Sequence, residues 1–288
     1  MKRLSYLQIL SRHPSHSIFR KAIRTYGNNM CFRLGSTTRM VRNNIIEINS
    51  VEAIQNSSSK KLMKARFAEA NVRTAEVITY VSPTSLRCGD DSYTPEELFT
   101  RFPAGVVTKS HFGSRGMGNT LHRDSQSLKS FIAGHTMSSY IIEAYRPYAR
   151  EYRLHVTEAG CFYTCRKMLK KDTPEEAKWF RNDSNCVWIV EDNPLFDKPV
   201  NWNDCIAESV KALKAVGLDV GAVDLRVESA VSELEGKRNY PNFIVIEINS
   251  APAMGEITAV KYFEEIPKII ARKLDNKGLS SISLKFKK

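Results

Sequence analysis

The chain has 288 residues, of which 42% are hydrophobic and 26% charged, and its formal net charge at pH 7 is +12. That balance suits a globular protein with a sizeable core and excludes low-complexity or fibrous chains. No run approaches the ~18 consecutive apolar residues of a membrane span, so none is expected.

The excess of basic residues points to an anionic partner, either a nucleotide, an acidic peptide or nucleic acid, with a merely solvated basic surface as the alternative. Six cysteines are scattered without a Cys-x-x-Cys spacing, the closest pair being Cys161 and Cys165. Reduced thiols and a cytoplasmic location follow as expectations. The first ten residues carry two basic side chains but neither a long apolar run nor a small-residue cleavage site, so a signal peptide is not expected.

Residues 1–48 are basic and weakly periodic, with a helix expected over 17–26, short strands over 30–34 and 44–48, and a polar turn over 33–38. Ser50 is placed to N-cap a helix that the serines at 57–59 interrupt. A second helix is expected over 60–70, with Leu62, Phe67 and Ala70 on its apolar face and Lys60, Lys61 and Lys64 as cationic candidates. A strand follows at 77–81. Residues 82–100 are polar and turn-rich, with Thr94 and Pro95 opening a helix.

From Gly105 to Asn119 a β-run ends at Lys109 and leads into a loop with Gly113, Gly116 and Gly118. Glycines allow close approach of backbone N–H groups to phosphate, and a lysine adds a point charge. No Gly-Lys-Ser/Thr ends the loop and no helix follows at once, so neither a Walker loop nor a dinucleotide motif fits. A hairpin flap over phosphates fits better, with a plain hairpin turn as the default.

A helix at 124–133 and a strand at 138–143 precede two strands at 149–156 and 161–168. Arg153 and Arg166 lie within them, and a buried arginine must be paired or meet an anion. Residues 171–200 are polar. An amphipathic helix over 203–216 closes at Gly217. Asp224 interrupts an apolar strand at 220–227, and a charged hairpin is expected over 228–242. The next strand, 243–248, brings Glu247 and Asn249 to one face. Buried carboxylates of this kind either hold a cation, for which hard oxygens suit Mg²⁺, or serve structure, with Asp224 capping a turn and Glu247 pairing with an arginine. A last helix is expected over 258–274, before a basic tail.

Taken in order, the segments from 49 to 257 resemble the ATP-grasp superfamily, and in type its ribosomal-protein glutamate ligases (RimK-like) and related amino-acid ligases. The resemblance is carried by Asn49-Ser50, Ala53-Ile54 and Lys60; by Lys109 with the glycine flap 113–118; by Glu143-Ala-Tyr145; by Glu151 and Arg153; by Phe180-Arg-Asn182; and by Asp224, Glu247 and Asn249. Departures are Ala253 where a glycine is usual, Ser59 where an aspartate is common, and a region before Asn49 shorter than the usual N-terminal domain.

The resemblance implies an α+β (α/β) ATP-grasp fold. It would comprise a reduced N-terminal region (1–48), a lid subdomain with the flap (49–144) and a C-terminal subdomain with the metal site (145–288), the two subdomains clamping ATP. It implies that Lys60 and Lys109 hold phosphates beneath Gly113, Ser114, Gly116 and Gly118. Glu143 and Tyr145 would frame adenine, and Glu151 would contact ribose or adenine. Asp224, Glu247 and Asn249 would carry a pair of Mg²⁺ ions, with Mn²⁺ as the alternative. Arg153 would steady the transferring phosphoryl group, and Arg166, Arg181 and Asn182 would face the acceptor. The activity implied is a carboxylate–amine ligase acting through an acylphosphate on an acidic acceptor, such as an amino acid, peptide or protein tail. A kinase on the same fold and an inactive nucleic-acid-binding module are the competing readings. Oligomeric state is left open.

Overall fold

Runs of β-branched and aromatic residues form strands, and three successive stretches of the chain each supply one sheet. Longer-range pairs close the second and third sheets, Val77–Ser82 with Tyr140–Ala144 and Arg150–Thr157 with Val220–Val227. The computed structural model describes residues 7–11, 14–16, 30–38, 46–111, 113, 118–229 and 241–276. The first sheet is parallel: β1 (Leu7–Ser11), β2 (Met30–Leu34) and β3 (Ile46–Ile48). The second holds β4 (Val77–Ser82), β5 (Ser85–Cys88), β6 (Asp91–Tyr93), β7 (Val106–Ser110), β8 (Asn119–His122) and β9 (Tyr140–Ala144), in the order β6-β5-β4-β9-β7-β8. The third holds β10 (Arg150–Thr157), β11 (Gly160–Leu169), β12 (Cys186–Val190), β13 (Val220–Val227) and β14 (Phe243–Asn249), in the order β12-β11-β10-β13-β14, with every neighbour antiparallel.

Helix ends follow their capping residues. The Ser50 hydroxyl accepts from the Ala53 amide and opens α1 (Val51–Ser58). Ser59 is extended at φ −95° and ψ 114°; it ends α1 and caps α2 (Lys60–Glu69) through Leu62 N–H. Thr94 and Glu97 form a reciprocal capping box on α3 (Pro95–Arg101), and Asp124 caps α4 (Ser125–Gly134). Gly217, at φ 78°, closes α5 (Trp202–Val216) in the left-handed conformation that a Cβ disfavours. The last described helix is α6 (Glu256–Asn276).

Packing assigns the helices to sheets. Ala53, Ile54, Met63 and Phe67 of α1 and α2 join α5 against Tyr152, Leu154, Val156 and Leu225, on one face of the third sheet. Sheet two has its own core, in which Leu98, Phe102, Leu128 and Ile132 of the α3 and α4 region meet Ile78, Val106 and Ile142. Sheet one shares a core with α6 through Phe32, Ile46, Ile48, Ile266 and Ile270. Asn49 joins sheet one to β13. It is fully buried at φ 59°, donates to the carbonyls of Arg33 and Val220, and accepts from the amides of Asp219 and Val220. Its side chain thereby meets all four hydrogen-bonding demands of a buried amide.

Two connectors cross between sheets two and three. On the first, Arg73 O accepts from Val245 N at 2.8 Å and the Arg73 guanidinium lies 4.5 Å from the Phe243 ring centre. The second begins after β9 and is tied to the first by the Arg146–Glu76 ion pair and by Ala144 N donating to Glu76 O at 2.9 Å.

Two polar regions hold more structure than their composition suggests. β5 and β6 lie within 82–100, and β12 within 171–200. The helix expected over 17–26, most of the 228–242 hairpin and the basic tail lie outside the described residues.

Candidate functional site

Pairing places acids and bases of the third sheet on one face. Asp224 and Glu247 are register partners, and Arg153 stands opposite Asp224 from the other side. Arg153 grips Asp224 with two parallel bonds, Nε to Oδ1 at 2.7 Å and Nη2 to Oδ2 at 2.8 Å. Lys167 of β11 bridges Asp224 Oδ2 at 2.8 Å and Glu151 Oε1 at 3.0 Å. Arg226 bonds Glu151 Oε2 at 2.7 Å, and Arg181 lies 3.8 Å from the same oxygen. Trp188 of β12 flanks the group, its ring centre 5.0 Å from the Arg153 guanidinium and 5.5 Å from the Lys167 ammonium.

Burial alone would raise the Asp224 carboxyl, but Arg153 and Lys167 outweigh it and hold it well below the usual carboxylate range. Burial would likewise raise Glu151, yet Lys167, Arg226 and Arg181 keep it low. Lys167 is pushed down by burial and pulled up further by Asp224 and Glu151.

A second cluster is rich in ammonium groups. Glu143 of β9 is 2% exposed and pairs with Lys109 of β7 at 2.7 Å and with Lys64 of α2 at 3.2 Å. Lys60 heads α2, where its amide donates to His111 O at 3.2 Å and its ammonium to Gly113 O. Burial lowers Lys60 and Lys64, and both feel the Glu143 and Glu247 charges, which places the lysine cluster beside the acidic strand. Glu143 stays ionised against its burial because Lys109 and Lys64 flank it.

The structure therefore brings together Lys60, Lys109, Gly113 and Glu143 in one group, and Glu151, Arg153, Arg181, Asp224, Glu247 and Asn249 in the other. Gly118, at φ 73°, accepts from Ser110 N at the base of the β7–β8 hairpin. Tyr145 leaves β9 with its amide bonded to Gly105 O at 2.9 Å, and its ring centre lies 5.2 Å from the Arg123 guanidinium. The Asn182 side-chain Oδ1 accepts from the backbone amides of Ser184 and Asn185 and so fixes a local turn. Ser114 and Gly116 lie outside the described residues.

Arg166 stands apart. It is opposite Tyr152, on the core side of the sheet, and pairs with Asp197 at 3.2 Å. The reason is a bulge at His155/Val156. The turn pairs Thr157 with Gly160; continued without a bulge, that register would set Arg166 opposite Glu151. One extra residue on β11 reverses the alternation, so Lys167 faces Glu151 and Asp224 instead. Lys167 carried no signal except its place beside Arg166. Lys64 was visible only as one of three lysines on the first turns of α2.

The oxygen set can accommodate a hard cation. Asp224, Glu247 and Asn249 present two carboxylates and an amide from adjacent strands. Among the described residues no cluster of three His, Cys, Asp or Glu side chains forms, so further positions around a cation would fall to water and phosphate oxygens, as Mg²⁺ prefers. Asp224 Oδ2 receives both Arg153 and Lys167, whereas Oδ1 receives Arg153 alone and keeps a lone pair. The Asn249 amide nitrogen lies 3.3 Å from Glu247 Oε1 and 3.5 Å from Asp224 Oδ2, a donor where a cation would stand; turning the amide over presents its oxygen instead.

No family model matches the chain, and no curated protein matches it in sequence. Solved structures do match in shape. D-alanyl-alanine synthetase A from Vibrio cholerae superposes with a TM-score of 0.57 at 12% identity, over 88% of this chain and 77% of that one. D-alanine–D-alanine ligase from Bacillus anthracis gives 0.54 at 14% identity, over 93% and 86%. The ATP-grasp ligase PsnB, solved with a minimal precursor, gives 0.51 at 14% identity over 79% of this chain. The fold is ATP-grasp. This chain spans 64% of the PsnB chain, and PsnB has also been solved with Mg and ADP. No described helix is long and apolar enough to cross a membrane.

Proposed function

We propose that the chain is an ATP- and Mg²⁺-dependent carboxylate–amine ligase. The observation that carries this reading is the juxtaposition of the Asp224–Glu247–Asn249 oxygen set with the Lys60–Lys64–Lys109 ammonium cluster, held by residues distant in sequence. Three ammonium groups around Glu143 leave a cationic excess, which a nucleotide's phosphates would neutralise. Mg²⁺, when bound, would neutralise charge on the transferring phosphoryl group.

In this reading Lys60 and Lys109 hold the phosphates beside the paired strands β7 and β8, with Tyr145 at the adenine side. Glu143 serves as the counter-ion of Lys109. Arg153 orients Asp224 and faces the phosphoryl group, while Arg181 and Lys167 favour an anionic acceptor. An acceptor carboxylate oxygen attacks the γ-phosphorus, and the bond to the β-phosphate oxygen breaks to release ADP. An amine then attacks the acyl carbon, phosphate leaves, and the ammonium loses its proton. The protein's contribution is positioning and fixed charge. The net charge of +12 favours an acidic acceptor, whether amino acid, peptide or protein tail. The sequence suggests a lid subdomain at 49–144 and a C-terminal subdomain at 145–288; because α1 and α2 pack on the third sheet, we assign the lid to sheet two with α3 and α4, from β4 to β9.

The test is product analysis with ATP, Mg²⁺ and panels of acids and amines, with hydroxylamine as a trap. A ligase gives ADP, free phosphate and an amide or hydroxamate. A phosphorylated acceptor without free phosphate would replace this reading with a kinase.

A further inference from the structure

The lysine cluster contains one chain of hydrogen bonds and an ion pair that the phosphate-binding reading does not require. Lys64 is 4% exposed, although it sits on the first turns of a helix where lysines usually reach solvent. Its ammonium donates to Thr74 Oγ1 at 2.5 Å, and the Thr74 hydroxyl donates onward to Val245 O at 2.8 Å. On the other side the ammonium pairs with Glu143 Oε1, whose second oxygen holds Lys109 Nζ at 2.7 Å. The chain thus runs from β14, two residues before Glu247, through the first connector and α2, to the lysine at the mouth of the flap hairpin.

Each link has one chemically allowed direction. An ammonium can only donate and a carboxylate can only accept, so the threonine hydroxyl must accept from Lys64 and donate to the carbonyl. Such a chain fixes position as well as charge. Balancing Glu143 needs one ammonium, and Lys109 already supplies it; the second adds an uncompensated buried cation, which is costly unless an anion arrives. Lys64 also belongs to a helix packed on the third sheet, whereas Glu143 and Lys109 belong to the second. The pair therefore joins the two bodies that carry the oxygen set and the flap.

We propose that Lys64 is a positioning residue for nucleotide phosphate. Through Glu143 it sets Lys109, and through Thr74 it fixes Lys109 relative to the Glu247 strand. It touches neither metal nor phosphate. This rests on the nucleotide-binding reading above, and the experiment separates the two.

Titrate wild type, Lys64→Met, Thr74→Val, Glu143→Gln and the double variant Lys64→Met/Glu143→Gln with Mg²⁺ and a non-hydrolysable ATP analogue, and separately with adenosine. Wild type is expected to bind the analogue. Lys64→Met should weaken it about tenfold or more, the effect of losing a charged hydrogen bond, and change adenosine affinity by less than about twofold. Thr74→Val, nearly isosteric and less disruptive to folding, should weaken the analogue about threefold, as for a neutral link. The double variant should bind about as poorly as the worse single one, because both break the same chain. A purely structural lysine would lower the melting temperature of Lys64→Met but leave the ratio of analogue to adenosine affinity unchanged. That result, or strict additivity, overturns the proposal while leaving the nucleotide site intact. Should Lys64→Met fail to fold, an unchanged ratio in Thr74→Val overturns it and a fall of about threefold supports it. Failure of wild type to bind the analogue overturns both readings.

Discussion

The two charged clusters of the site are built on opposite plans. On the third sheet Asp224, Glu151 and Glu247 face Arg153, Lys167, Arg181 and Arg226, nearly one acid for each base, locked by a bidentate pair and a bridging lysine. Beside it, Lys64 and Lys109 share Glu143, and Lys60 stands near them with its ammonium on the Gly113 carbonyl. The first cluster is largely self-satisfied and should behave as part of the core. The second is cationic, and a ligand should complete it.

The sharpest way to break that contrast is Asp224→Ala. It strands Arg153 and Lys167 without their shared counter-ion, and unfolding in urea should show a loss of about 3–5 kcal/mol. Glu247→Ala, which removes a carboxylate that makes no ion pair among the described residues, should cost about 1 kcal/mol or less by the same measurement. Equal losses would mean that the acidic set is one structural unit rather than a lock beside an open ligand.

Next comes the neighbouring pair on β11. Lys167→Met leaves two buried carboxylates short of a donor and should reduce stability by about 2–3 kcal/mol, with a clear loss of nucleotide binding. Arg166→Gln, on the far face, should leave nucleotide affinity within about twofold of wild type, because nothing on the site face changes. Binding titrations that reversed this ranking would put Arg166, and not Lys167, on the site face.

Acid sensitivity sharpens the picture of the third sheet as core. His155 follows Arg153 on the same face, is 1% exposed and bonds Tyr262 at 3.0 Å. Burial, then the Arg153 charge, lowers its pKa to about 3 from 6.5. The unfolded chain takes up a proton below 6.5 that the folded chain refuses until about 3, so stability must fall as pH drops through that window. The slope from this residue approaches about 1.4 kcal/mol per pH unit. His122 is also lowered by burial and adds in the same direction. Glu143, Glu151 and Asp224 are held low when folded, so their contributions are lost only at more acidic pH, as each unfolded carboxylate begins to protonate. Urea melts at pH 7, 6 and 5 should therefore isolate the histidines, and His155→Gln should flatten the series.

The smallest expected effect is a control far from both clusters. Thr94→Ala removes the capping box of α3 and should cost about 1 kcal/mol in a urea melt, with nucleotide affinity unchanged.

Much of the framework was legible because it is local. Ser50, Ser59, Thr94 and Gly217 mark helix ends by side-chain chemistry that acts within a few residues. The strands around Asp224 and Glu247 stand out as apolar runs interrupted by acids. What the sequence hid is register and partnership. A bulge has no compositional mark, so the choice between Arg166 and Lys167 could not be read from a two-residue turn. Phe67 announces an apolar face without saying which sheet it covers; Leu62, expected beside it, is exposed and Met63 is buried instead, and the face covers the third sheet although the second follows it in the chain. Glu143 read as a hinge residue near adenine, but its carboxylate is taken up by lysines 34 and 79 positions away.

The most direct test of a ligand-completed cationic cluster beside a metal-ready oxygen set is a thermal melt of wild type and Glu247→Ala, with and without Mg²⁺ and a non-hydrolysable ATP analogue. A ligand present at a hundred times its Kd adds about 2.7 kcal/mol to folded stability. Wild type should melt several degrees higher only when both Mg²⁺ and the analogue are present, and Glu247→Ala should lose most of that rise. An unchanged wild-type melting temperature at saturating Mg²⁺ and analogue would contradict the nucleotide site and leave the lysine cluster as a structural feature alone.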